Sequence, residues 1–191
     1  MTGHELEEFL NILRRAGWNI ATSSGDVLNL NPAVLARYPH IPDAYLTFLR
    51  HVAECSNPAQ TAWFLCASDY NADGSDDTTF RWNEWERLSF EAADGNQEEV
   101  ERIRQFWNSH LPIMSSVSSD YAYLAISMSP ADYGAIVHGF APEFEESPQR
   151  VCGSFDEFLD AFGRIVAGET ISLPKEGPGV PLVGREYRDF L

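Results

Sequence analysis

The sequence predicts an α+β domain, with helical segments grouped apart from an antiparallel β-meander. Three observations predict it. Thr2, Asn96 and Ser154 each stand three places before a glutamate (Glu5, Glu99 and Glu157) and ahead of apolar residues at helical spacing. Beyond Asn108 the apolar period changes from helical to strand-like, with turns at Ser118-Ser119-Asp120 and Pro130-Ala131-Asp132. The segment TAWFLCA, Thr61 to Ala67, is short, aromatic and apolar, the composition of a buried strand.

The elements follow in order. Leu6, Phe9, Leu10 and Leu13 give the first helix an apolar face, and Gly17 ends it. Residues Trp18 to Leu30 read as irregular chain or a weak hairpin turning at Ser24-Gly25-Asp26. Asn31 caps a short helix with Pro32 at its first position. A longer helix starts at Ile41-Pro42 and places Tyr45, Phe48, Leu49 and Val52 on one face. After the strand at Thr61–Ala67, Asp69 to Thr79 reads as a polar loop. Trp82 to Ala93 is expected to be helical, with Trp82 and Trp85 sharing a face. The next helix, Gln97 to Asn108, turns Val100, Ile103 and Trp107 inward and spaces Glu98 and Arg102 for an ion pair. Strands follow at Leu111–Ser115, Tyr121–Met128 and Gly134–Phe140, with an edge strand at Gln149–Cys152. A last helix carries Phe155, Phe158, Leu159, Phe162, Ile165 and Val166 and stops at Gly168. The division is therefore one domain over residues 1–168 and a Pro/Gly-rich tail over 169–191, whose Tyr187 and Phe190 are candidates to fold back or to bind another subunit.

Hydrophobic residues make up 44% of the 191, enough for one buried core. No apolar run has the length of a membrane span, and the first residues lack the pattern of a signal peptide, so a cytoplasmic protein is expected. Three cysteines at long spacings, Cys55, Cys66 and Cys152, read as buried thiols rather than a disulfide framework. The five histidines show no zinc spacing. A net charge of −16 argues against nucleic acid and against anionic membranes as partners. It favours a partner with a basic surface, reached by electrostatic steering.

Motifs for chemistry are sparse. Asp69, Asn71, Asp73 and Gly74 begin a calcium loop, but Phe80 stands where its bidentate carboxylate belongs. An acidic surface loop is the better reading. The sequence contains no nucleophile elbow, P-loop or dinucleotide fingerprint. No catalytic residue, metal or cofactor is expected. Trp63, Trp82, Trp85 and Trp107 are core candidates, any exposed one serving as an interface anchor.

Taken in order, the IPDAYLTFL helix, the FRWNEWERLSFEAA segment, the LPIM…YAYLAISM…YGAIVHGF meander and the closing SFDEFL helix resemble the SUKH superfamily. That family includes a fungal cell-wall assembly regulator and many bacterial toxin-immunity proteins. The resemblance runs from about residue 30 to residue 165. It implies a twisted, mainly antiparallel sheet packed with several helices, no catalytic residues, and direct binding of a cognate toxin. The tail past Gly168 is less typical of it.

Between Asp69 and Glu101 the chain holds eleven acids and two arginines, more than half of the net charge. The expected binding residues are Asp76, Asp77, Glu84, Glu86, Glu91, Glu98, Glu99 and Glu101, with Glu143, Glu145 and Glu146 after the third meander strand. Adjoining, they would form one negative face able to cover the basic groove of a nuclease toxin. The expected function is thus an immunity protein. The alternatives are a regulatory scaffold without a toxin, or a small-ligand or calcium-binding domain.

Overall fold

Capping fixes where the long helices begin. In α1 (Gly3–Arg15) the Thr2 hydroxyl accepts from Glu5 N while Glu5 Oε2 accepts from Thr2 N at 2.6 Å, a closed capping box. Gly17 follows at φ +87°, the left-handed stop that glycine allows. The computed structural model describes residues 1–24, 27–72, 80–118, 121–142, 144–146, 148–169 and 190–191. Past α1 come β1 (Asn19–Thr22), α2 (Pro32–Arg37), α3 (Asp43–His51), β2 (Val52–Ser56), β3 (Ala62–Phe64) and α4 (Ala67–Asn71). Then follow α5 (Glu84–Ala92), α6 (Gln97–Asn108), β4 (His110–Ser116), β5 (Ala122–Ser127), β6 (Ile136–Phe140), β7 (Gln149–Cys152) and α7 (Phe155–Val166).

Among the described residues, seven strands join one open sheet in sequence order, each antiparallel to the next. The fold is α+β, and such a sheet carries the usual strand twist. Alternate residues of the central strands feed two cores. Phe64, Met114, Leu124 and Ile126 face the larger one, with Leu10 of α1, Phe48 of α3 and Phe158 of α7. Tyr123, Ala125 and Val137 face the other, with Trp85 of α5 and Ile103 and Trp107 of α6. Helices thus cover both faces of the sheet, and α6 lies on the side away from α1 and α7.

Several expectations are corrected. Residues 18–30 contain β1, which pairs with a strand, β2, that the sequence did not announce. Val52 ends α3 and starts β2 instead of extending the helical face. The start of the supposed polar loop is α4, where Asp69 Oδ2 accepts from Cys66 N at 2.6 Å and Tyr70 is buried. Burial pushes the Asp69 carboxyl above its ordinary range, against the hydrogen bond that lowers it. Most of the calcium-like stretch, 73–79, lies outside the described residues. Trp82 precedes α5 and packs with the larger core, while Trp85 sits in the smaller one, so the two do not share a face.

Candidate functional site

The acidic surface is built on α6. Asn96 caps it, its Oδ1 accepting from Glu98 N and Glu99 N at 3.2 and 3.4 Å. Carboxylates in this first turn complement the positive end of the helix. Ile103 and Trp107 point into the smaller core, so Glu98 and Glu101 face outward and are exposed.

The acids after β6 are carried to the same place. Tyr123 Oη donates to Phe144 O at 2.6 Å, and the Phe144 ring stacks on Trp85 with centroids 5.1 Å apart. With Phe144 buried, the next two residues emerge beside α6. Trp107 Nε1 donates to Glu145 Oε1 at 2.5 Å. Arg102 Nη1 donates to Glu146 Oε1 at 2.9 Å and Nη2 to Glu99 Oε1 at 2.5 Å. Glu99, Glu145 and Glu146 are therefore held together beside α6, and Glu98 and Glu101 stand exposed on the same helix. Arg102 pairs with Glu99 and Glu146, not with Glu98 as the i,i+4 spacing proposed, and hydrogen bonds to those two hold its guanidinium pKa above the usual value. Hydrogen bonds from Gln105 and Arg104 hold the Glu101 carboxyl below the usual range.

On α5, Glu84 and Glu91 both bind the Arg87 guanidinium, which neutralises part of that helix. Glu86 is a correction. It is 5% exposed and takes a two-point ion pair from Arg37 of α2, Nη1 to Oε2 at 2.8 Å and Nη2 to Oε1 at 2.7 Å. Arg37 Nε donates in turn to Asn108 Oδ1 at 3.0 Å. Glu86 ties α2 to α5 and α6 and cannot meet a partner. Asp76, Asp77 and Glu143 lie outside the described residues.

The spacing gave Arg102 a different partner, gave Trp107 only a core position and gave Tyr123 no role, whereas all three position the loop acids. It also missed Tyr121, 51% exposed and packed on Trp85 at 5.6 Å, at the border of this surface. Their contacts join residues far apart in sequence, so spacing gave no signal.

Two clefts open elsewhere. One of about 440 Å³ between α1 and α7 has Phe9, Ile12 and Leu159 among its lining residues and Glu5, Glu8 and Asp160 beside them. Another of about 220 Å³ is lined in part by Ser56, Trp63 and Asp69. Among the described residues, no group of three or more His, Cys, Asp or Glu side chains is arranged to hold a metal ion, and no helix is long and apolar enough to cross a membrane. The chain matches no family model and no curated protein.

Proposed function

We propose that this protein is a non-catalytic immunity-type binding protein that neutralises a cognate protein toxin in the cytoplasm. The surface formed by α6 and residues 144–146 would cover a basic site on the toxin, with a nuclease groove the best electrostatic match. The observation that carries the reading is the joining of two acidic segments, distant in sequence, on one side of α6 by Arg102 and Trp107. Carboxylates fixed before binding spend less entropy on association, and their combined field steers a basic partner. The order of elements resembling the SUKH superfamily supports the same reading.

The test is to express the gene neighbouring this one in a sensitive host, with and without this protein, and to score growth. Killing that this protein alone rescues supports immunity. Absence of toxicity, or toxicity without rescue, counts against it and favours the regulatory scaffold. With a toxin in hand, Glu98→Lys together with Glu101→Lys is expected to weaken binding at least tenfold at low salt and to flatten its salt dependence. Unchanged low-salt affinity would remove the acidic surface from the mechanism.

A further inference from the structure

Strands β2 and β3 share a single register position, Ser56 opposite Trp63. Past it the two part. The chain leaving β3 stays with β4, Leu65 N donating to Ile113 O at 2.9 Å, while Glu54 and Cys55 of β2 stay paired with β1. The cleft of about 220 Å³ draws its lining from both strands and from α4.

Three features of this cleft point to a ligand, and each narrows its chemistry. Ser56 lines it and is 7% exposed, and its Oγ has no hydrogen-bond partner. A buried hydroxyl left unpaired costs stability, so an entering N–H group finds a ready acceptor. Glu54 and Asp69 also line the cleft, and no lysine, arginine or histidine does. Neither carboxylate has an ion pair among the described residues. Burial pushes the Asp69 carboxyl up, the Glu54 charge adds to it, and backbone hydrogen bonds oppose both. A cation in the cleft relieves that repulsion. Trp63 supplies an aromatic wall, its ring braced edge-on by Phe80 with centroids 4.9 Å apart.

These donors suit an organic cation better than a metal ion. Hard ions demand a shell of oxygens, whereas an indole and two thiol-bearing residues, Cys55 and Cys66, share this lining. Size narrows the choice again. Sites for whole small molecules run from about 300 to 1,000 Å³, so this cleft seats one group of side-chain size. Between the two cations of that size, guanidinium is the more weakly hydrated, stacks flat on an indole and spreads its N–H donors in a plane. An ammonium is compact and costs more to strip of water.

We propose that the cleft between β2 and β3 is a binding site for a guanidinium group, with Asp69 and Glu54 as its counter-charges, Trp63 as its stacking wall and Ser56 Oγ as its inner acceptor. None of these residues belongs to α6 or to residues 144–146, so guanidinium binding and toxin neutralisation can fail separately.

The experiment titrates the full ¹⁵N-labelled chain with propylguanidine, with a blocked Gly-Arg-Gly peptide and with butylamine. The Trp63 indole N–H and the amides of Ser56 and Asp69 should shift saturably with both guanidinium probes, and butylamine should bind roughly fivefold less tightly. Tighter binding of the peptide marks an arginine side chain as the source of the group, and tighter binding of propylguanidine marks a free small molecule. Asp69→Asn, which keeps an acceptor for Cys66 N, combined with Glu54→Gln should weaken binding roughly tenfold. If that variant does not fold, Glu54→Gln alone, at an exposed position, serves in the same titration. Asp160→Asn on α7, which removes the same charge elsewhere, should change nothing. Ser56→Ala separates a site from an ordinary buried residue. Losing an unpaired hydroxyl should raise the melting temperature by about 2–4 °C in either case. Only in a site does the same change also weaken guanidinium binding, by roughly threefold. Shifts that never saturate, equal binding of butylamine, or wild-type affinity in the Ser56 and carboxylate variants would each overturn the proposal.

Discussion

Gly139 lies directly across the β5–β6 ladder from Tyr123, and the tyrosine ring fills the space that a β-carbon on Gly139 would need. That carbon would fall 2.4 Å from both Cζ and Oη of the ring. The ring cannot yield, because it packs against Trp107 at 4.9 Å and its hydroxyl holds Phe144 O. Gly139→Ala should therefore cost about 2–3 kcal/mol, as overpacking of a closed core does. Urea denaturation measures the loss. Since Tyr123 also anchors the loop that carries Glu145 and Glu146, the variant should lose partner affinity as well, although Gly139 itself carries no charge. A stability within error of the wild type would show that Tyr123 has an alternative place.

The Arg37–Glu86 pair makes a second prediction, about cost rather than contribution. Glu86 is nearly covered and Arg37 mostly so, with side chains 7% and 19% exposed. Removing one partner leaves the other charged in a poorly hydrated place. Glu86→Ala should destabilise by about 3 kcal/mol, toward the lower limit for broken buried pairs because Arg37 keeps some solvent. The double variant Arg37→Met with Glu86→Leu should recover to within about 1 kcal/mol of the wild type, since apolar replacements of similar volume avoid the desolvation of both charges. Chemical denaturation of the three proteins tests the pair, and an additive double variant would refute the coupling.

These two sites mark the line between what the sequence could disclose and what it could not. Local signals were legible. Thr2, Asn96 and Ser154 started helices where expected, and the alternation after Asn108 gave four strands close to their observed limits. Strand β2 was hidden because Val52 continues the apolar spacing of α3, so one residue served two patterns. The acidic concentration was legible as composition, but its geometry was not. Spacing placed Glu86 among outward-facing acids, whereas Arg37, 49 positions earlier in the chain, draws it inside. Nor does spacing show that Arg102 turns from Glu98 toward Glu146, 44 positions later. Ion pairs that close across a fold depend on packing, and neighbouring residues carry no trace of them.

His110 provides a pH test. Its ring stacks on Phe106 with centroids 4.1 Å apart, and Nδ1 lies 2.9 Å from Phe106 O. Burial pushes the imidazole pKa below its ordinary value, with the Phe106 carbonyl and Asp132 acting the other way. The unfolded chain takes up this proton near pH 6.5, before the folded one does. Stability is therefore full above about pH 6.5 and falls as the pH drops from there toward the folded-state pKa, by at most about 1.4 kcal/mol per pH unit. Replacing His110 with glutamine should remove this part of the slope between pH 7.5 and 5.5 in thermal or urea melts. Parallel profiles for the two proteins would show that His110 titrates alike in both states.

Arg102 gives the sharpest functional prediction, because it separates a binding surface from a merely solvated one. It neutralises part of the charge on Glu99 and Glu146. Arg102→Ala leaves both carboxylates uncompensated and makes the surface more negative. These pairs are exposed and screened by solvent, so the melting temperature should stay close to that of the wild type. If the α6 surface steers a basic toxin, association should become roughly two- to threefold faster at low salt, and the advantage should vanish as salt screens it. The loop acids lose a tether at the same time, so dissociation should quicken too, and only the separate rate constants reveal the steering. Stopped-flow or surface-resonance kinetics over a salt series measure both. Glu98→Lys with Glu101→Lys should move the association rate the opposite way. Association rates that respond to neither change would leave α6 a solvated face and place the contact on another surface.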